Sequence, residues 1–398
     1  MKGGFHMLKK LVCLLIAMML VCSTVSGAFV PAKEADGGYY KIDAQSKEWA
    51  KFTSHEEKVK ALQPTKDLSG LSTKELACAA LEYQLLVDIY AYDDLKAGVE
   101  AAKAVCPALA LLMEREDAAE VLREFAFNSE ELYAQLSTND IHEHFAAFAV
   151  RDLAEQVTGE NFDPFDPMPG DDTVLAFDAR PTVPGAYVGW NADGPYWGLR
   201  TPNGTDVTDY CINNFYETVE DERIEAMTAE WAQAYPNAVV VAPASRTYNC
   251  HSFAWAAEGN IGYNPFVLDG LAIDVYIGDG SYNGVGRIDD PERSALYGRL
   301  LPGDVVVFTY QGEQDRAHSA LVYEVPSADG NGTAHGASMH YADPVRYISK
   351  WGCGPVVIHT LNDCPYGINQ YTTAIVDGEV VQTIQPGVRT LYAYRKAV

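Results

Sequence analysis

Basic residues are scarce in this chain: 29 Lys and Arg stand against 55 Asp and Glu over 398 residues, a formal charge of −26. An evenly acidic surface offers no counter-charge to phosphate backbones or anionic headgroups, so nucleic-acid and membrane-surface partners are not expected. Cysteine is sparse as well. Of eight, Cys13 and Cys22 fall in the leader discussed below, and 8 − 2 leaves six: Cys78, Cys106, Cys211, Cys250, Cys353 and Cys364. That is too few for a disulfide scaffold, although Cys78 with Cys106 and Cys353 with Cys364 could bridge. No C-x-x-C pair occurs, which argues against zinc-ribbon and thioredoxin-type chemistry. Tandem repeats are absent, which removes solenoids and arrays of wall-binding modules.

Residues 1–28 hold three Lys and no acid, then the apolar run Leu11–Cys22, then Ser23, Thr24, Ser26, Gly27 and Ala28. A positive start, an apolar middle and a small-residue end read as a secretory signal, and the apolar run is too short to span a bilayer. The expectation is a secreted protein with no stable membrane insertion after cleavage. A lipid anchor at Cys22 is the competing reading, but Leu20-Val21 lacks the small residues expected before such a cysteine.

The remainder divides by texture. Residues 29–70 are polar and irregular and read as a linker. Over 71–160 the pattern is helical: Ser72-Thr73-Lys74-Glu75 has the form of a capping box, and helices are predicted up to Tyr92, over Leu95–Cys106, over Ala108–Phe127 and over Ile141–Val157. Residues 161–172 carry Pro164, Pro167, Pro169 and Gly170 among acids and mark a boundary. Residues 173–398 are rich in Tyr, Trp, Gly and Pro, with short β-type runs interrupted by one predicted helix, Asp221–Ala234.

The chemistry concentrates in Tyr248-Asn249-Cys250-His251-Ser252-Phe253-Ala254-Trp255-Ala256, preceded by the loop Ser245-Arg246-Thr247. The chain after Cys250 is helix-compatible until Gly259-Asn260, which puts the thiol at a helix N-terminus. There the unpaired N–H groups favour thiolate over thiol, lowering the pKa from about 8.5, and can bind an oxyanion. A thiolate that cuts amides needs a base for the leaving amine. His318 is the candidate: it opens Ser319-Ala320-Leu321-Val322-Tyr323, a predicted strand, after a second one, Val305–Phe308, that follows Leu301-Pro302-Gly303-Asp304. A hairpin through Thr309–Ala317 is expected to set His318 at a strand end facing the helix.

Tyr-Asn-Cys-His-Ser-Phe-Ala-Trp, then Pro-Gly-Asp-Val-Val-Val-Phe, then His-Ser-Ala-Leu-Val-Tyr resembles, in order and spacing, the papain-like superfamily of bacterial secreted cysteine hydrolases, above all its NlpC-like and CHAP-like members. The resemblance spans Ser245–Gly354. It implies an α+β, papain-like C-terminal domain with a central antiparallel sheet and an N-terminal nucleophile helix, here preceded by a small all-α domain. It implies a cysteine peptidase or amidase that needs no cofactor and acts on a peptide, protein or peptidoglycan amide. The acidic charge and the lack of wall-binding repeats favour a soluble peptide or protein. In such enzymes an Asn within Asn-Ser-Trp-Gly orients the histidine; here Ser349-Lys350-Trp351-Gly352 places Ser349 at that position, a departure that leaves Lys350, His340 and His359 as substitutes. The alternative is a catalytically inactive extracellular binding module of the same fold. A third reading is a structural zinc site through Cys353, His359 and Cys364.

Other candidates have plainer readings. His251 points off the helix away from the thiol, and His142-Glu143-His144 lies on a solvated helix surface, since positions two apart share no face. Trp255 and Trp351 are core or cleft-wall rings, and Tyr248 packs or reaches an oxyanion. The acids of 163–172 and Asp289-Asp290 lack EF-hand spacing and are solvated.

Overall fold

The computed structural model describes residues 38–159 and 185–398 apart from 43, 93, 129–131, 134, 137–139, 192–193, 214–220, 262–265, 288–298, 311–315, 326–344, 367–369, 377–378 and 386–388. The expected leader and the proline-rich 161–172 segment therefore lie outside the described residues.

Ser72 opens a helix as its spacing predicts. Its Oγ accepts the Glu75 N–H at 3.3 Å, and the Glu75 carboxylate accepts the Ser72 N–H at 2.8 Å, so two orphan donors are satisfied at once. The 29–70 expectation needs correction, because helix α1 (His55–Ala61) lies within it, capped by Ser54. Trp49 and Lys58 are fully buried there. Trp49 Nε1 donates to Ala234 O at 3.1 Å and Lys58 pairs with the Asp363 carboxylate. The partners of this polar stretch arrive from the far end of the chain, so local composition cannot show its burial.

The helices that follow are α2 (Thr73–Leu81), α3 (Leu95–Val105), α4 (Pro107–Met113), α5 (Ala118–Phe127), α6 (Asp140–Thr158) and, later, α7 (Asp221–Ala234). The single helix expected over Ala108–Phe127 is two, broken between Glu114 and Asp117 where exposed polar residues interrupt the apolar stripe.

Seven strands form one antiparallel sheet: β4 (Val239–Ala242), β6 (Tyr282–Arg287), β7 (Val305–Tyr310), β8 (Arg316–Glu324), β9 (Arg346–Lys350), β10 (Val356–Thr360) and β13 (Arg389–Lys396), in the order β4-β10-β9-β8-β7-β13-β6. Two-stranded ribbons pair β1 (Tyr187–Asn191) with β2 (Gly194–Gly198), β3 (Cys211–Asn213) with β5 (Phe266–Leu268), and β11 (Gln370–Val376) with β12 (Glu379–Gln385). The chain is thus mixed α+β with an antiparallel sheet, and β7–β8 is the expected hairpin.

Strand alternation assigns the two faces. Val306, Phe308, Ala320, Val322 and Tyr347 join the helices in one apolar cluster. Val305, Val307, Leu321 and Val356 join Phe253, Trp255 and α8 (Ala272–Gly278) in a second cluster on the other face. Tyr39–Val398 is one compact unit. The expected all-α domain at 71–160 has no core separate from that of the sheet in 173–398, because the helices' apolar stripes are covered by strands rather than by each other alone.

Buried charges lock this junction. Asp88 accepts from Tyr235 Oη at 2.9 Å and from His55 Nε2 at 2.9 Å. His142 Nδ1 meets Glu230 Oε1 at 2.8 Å while Nε2 meets Leu81 O at 2.5 Å, joining α6 to α7 and α2. His142 is fully buried, so the solvated surface expected for it is corrected; only His144 is exposed.

Candidate functional site

Asn249 begins the turn that carries Cys250. Its Oδ1 accepts the Ser252 N–H at 3.0 Å, and Ser252 Oγ accepts the Asn249 N–H at 3.1 Å, a reciprocal cap built from Asn and Ser. The same Asn249 amide holds β5 through Leu268 N–H at 3.2 Å and Leu268 O at 2.9 Å. The turn widens over Ser252–Ala256, where Ala257 N–H reaches Ser252 O at 2.8 Å, and it stops at Glu258 and Gly259, both with positive φ. Cys250 is therefore the first residue of a helical turn, as its sequence implies, and it is 1% exposed.

The side chain of β8 that faces this turn is Ser319. Its Oγ lies 2.9 Å from His251 Nδ1 and 3.0 Å from Trp255 Nε1, which donates to it. His251, expected to point off the helix, is buried and committed to the sheet. His318 is the preceding residue of the same strand and points to the other face. There its ring stacks on Tyr366 at 3.6 Å and 10°, with Phe308 edge-on at 5.1 Å. The expected Cys250–His318 pair is corrected accordingly: the thiol's turn and the imidazole lie on opposite faces of β8. Successive strand residues alternate sides, so the hairpin was predictable while its parity relative to the turn was not.

Ser349 is also buried, but it does not orient His318. Its Oγ lies 2.8 Å from His359 Nε2, and His359 Nδ1 lies 2.8 Å from Thr360 O. The carbonyl can only accept, so Nδ1 carries the proton and Nε2 accepts from the serine. Burial pushes the His359 imidazole down to about 4, opposed by its bond to Thr360. It is neutral at physiological pH. Of the residues read from sequence, Ser349 and His359 are brought together, and neither is brought to Cys250.

Among the substitutes, Lys350 does face the cysteine's loop. Its ammonium donates to Ser245 O at 2.7 Å and to Gly352 O and Gly354 O at 2.5 Å each, and lies 5.1 Å from the centre of the Tyr248 ring. Burial pushes it down to about 8, opposed by the nearby Cys353 and Cys250 sulfurs. All three of its hydrogens go to carbonyls and, among the described residues, no carboxylate pairs with it. Below that pH it is a positive charge beside Tyr248-Asn249-Cys250, with its hydrogens committed to three carbonyls. His340 lies outside the described residues, as does Asp289-Asp290.

The remaining expectations resolve simply. Among the described residues no disulfide joins any of the six cysteines, so neither suggested bridge is present; burial pushes Cys78 and Cys106 up to about 12. Cys364 Sγ is directed to Leu361 O at 3.3 Å while His359 is held by Ser349, and among the described residues no group of three His, Cys, Asp or Glu could hold a metal. Trp255 and Trp351 are fully buried rings. Among the described residues no helix is long and apolar enough to cross a membrane. No protein-family model, no curated protein and no solved structure matches this chain.

Proposed function

We propose that this chain is a non-hydrolytic, secreted binding module: it carries the motif order of the papain-like cysteine hydrolases without their Cys–His pair. The observation that supports this is the direction of Ser319, which occupies the place beside the Cys250 turn that a catalytic histidine would need. Side chains on opposite faces of a sheet point away from each other, so an imidazole on the far face of β8 is poorly placed to take a proton from a thiol on the near face. Without that transfer the leaving amine is not protonated and amide cleavage stalls. The test is to offer the secreted chain mixed fluorogenic peptide amides and intact peptidoglycan. No turnover above that of Cys250→Ala is expected. Turnover that vanishes in Cys250→Ala overturns the reading.

A second reading, a cysteine amide hydrolase, is favoured by Lys350. A buried ammonium beside Cys250 stabilises a thiolate, and an anion there would offset a charge that is otherwise costly to bury. Since Lys350 has no hydrogen-bonding capacity left over, this reading needs a base from elsewhere in the chain. It predicts that Lys350→Met slows alkylation of Cys250 at pH 7 by about tenfold, the effect of raising a thiol pKa by one unit. An unchanged rate removes it.

A further inference from the structure

We propose that Lys58 and Asp363 condense to a side-chain amide, a covalent tie between α1 and the loop after β10 that the folded chain forms by itself with loss of one water. This is independent of any chemistry at Cys250. The two residues stand 305 positions apart and are both buried, and Lys58 Nζ donates to Asp363 Oδ1. Backbone contacts bring them together. The His55 N–H at the head of α1 donates to Asn362 O at 2.8 Å, and the Asp363 N–H donates to Thr360 Oγ1 at 3.3 Å. Aromatic rings keep the surroundings dry: the ammonium lies 4.2 Å from the centre of the Tyr235 ring and 5.9 Å from that of Trp49. Two groups held in contact in this way react as though each were present at very high concentration.

As an ion pair the arrangement is poorly satisfied. An ammonium carries three hydrogens and a carboxylate two oxygens, yet among the described residues Lys58 Nζ has one acceptor and Asp363 Oδ2 has no donor. A buried pair recovers its desolvation cost only when such remaining positions are bonded. Burial pushes the Lys58 ammonium down, opposed by Asp363 and then by Asp88. One proton passed along the existing hydrogen bond turns the pair into an amine and a carboxylic acid, both neutral. The Nζ lone pair then attacks Asp363 Cγ and an N–C bond forms. Asp88, a second buried carboxylate held by Tyr235 Oη at 2.9 Å and His55 Nε2 at 2.9 Å, takes a proton from the nitrogen and returns it to the departing hydroxyl. The Cγ–O bond breaks and water leaves, so the step consumes no oxidant, reductant or co-reactant. Condensation waits on folding and on proton transfer; freshly purified chain holds mainly the ion pair, and the amide accumulates. Where none of the six cysteines is joined by a disulfide, it would be a covalent brace that closes a long loop and restricts the unfolded chain.

The test is the intact mass of the full chain, measured at purification and after a week at room temperature, followed by tryptic mapping. A growing species lighter by the mass of one water is expected, with a branched peptide joining Lys58 to Asp363 and no cleavage after Lys58. Lys58→Arg keeps a positive charge, but a guanidinium stays protonated and cannot attack, so the species should be absent. Asp88→Asn leaves the pair in place and should slow its appearance by about 100-fold, the lower end of what a positioned proton carrier contributes. Chain held unfolded in urea should not form it. Should Lys58→Arg fail to fold, the branched peptide in the wild type decides alone. An unchanged wild-type mass after the week, a water loss that persists in Lys58→Arg or maps to a cyclic imide at Asp363, or an unchanged rate in Asp88→Asn overturns the proposal.

Discussion

The buried His142–Glu230 pair makes stability depend on pH in a direction the structure fixes. Both imidazole nitrogens face acceptors, Glu230 Oε1 at 2.8 Å and Leu81 O at 2.5 Å, so the ring is bonded as an imidazolium. Burial opposes that charge; the Glu230 carboxylate and the Leu81 carbonyl outweigh it and hold His142 above its usual value. A group raised in the folded state contributes stability that is fully present below its unfolded pKa of about 6.5. The contribution is lost as pH rises through the folded pKa, at up to about 1.4 kcal/mol per pH unit while the folded state holds the extra proton. Glu230→Gln removes the counter-charge and is expected to cost about 3–5 kcal/mol at pH 6, the range for breaking a buried pair. Urea denaturation of wild type and Glu230→Gln from pH 5.5 to 8 should show this cost shrinking as pH rises. Stopping at pH 8 matters because Lys350, pushed down to about 8, has the opposite sign: its penalty for being charged is relieved as it deprotonates above that pH. A cost that stays flat or grows toward pH 8 would refute the assignment of His142 as a charged, Glu230-held group.

Three further outcomes follow from packing. Ser319→Ala leaves His251 Nδ1 and Trp255 Nε1 without their shared oxygen and should cost about 2–6 kcal/mol, at 1–3 per group, read from the shift in urea midpoint. Gly352 and Gly303 both have positive φ, but a Cβ on Gly352 would lie 2.2 Å from Tyr90 O while one on Gly303 meets nothing within 4 Å. Gly303→Ala should therefore cost about 1 kcal/mol for conformation alone and Gly352→Ala at least about 2 more; equal costs would deny the close approach. Lys58→Met leaves Asp363 buried without its ammonium and should cost about 3–5 kcal/mol, while adding Asp363→Leu should recover most of that loss; a double variant no better than the single would show that the ion pair is not the reason.

What could be read from the sequence is what is encoded locally. The Ser72–Glu75 cap, the break before Pro107, the β7–β8 hairpin and the turn beginning at Cys250 all depend on neighbours within a few positions, and each is found where its spacing predicts. Two kinds of feature were not legible. Burial of Trp49, Lys58 and His142 depends on partners at Ala234, Asp363 and Glu230, far along the chain. The faces of β8 and β9 depend on parity, and a one-residue difference exchanges every side chain between sides. His318 and Ser349 were read from motif position, whereas the side chains directed to the Cys250 loop are their immediate successors, Ser319 and Lys350.

That exchange of faces is tested most directly by the pH dependence of Cys250 alkylation in His318→Phe, which keeps an aromatic ring against Tyr366 and Phe308 but removes any proton acceptor. Rates of iodoacetamide labelling from pH 5 to 9, read by mass spectrometry at Cys250, should superimpose on those of the wild type. A profile that loses an inflection, or a rate at pH 7 lower by about tenfold or more, would show that His318 does reach the thiol and would restore the hydrolytic pair.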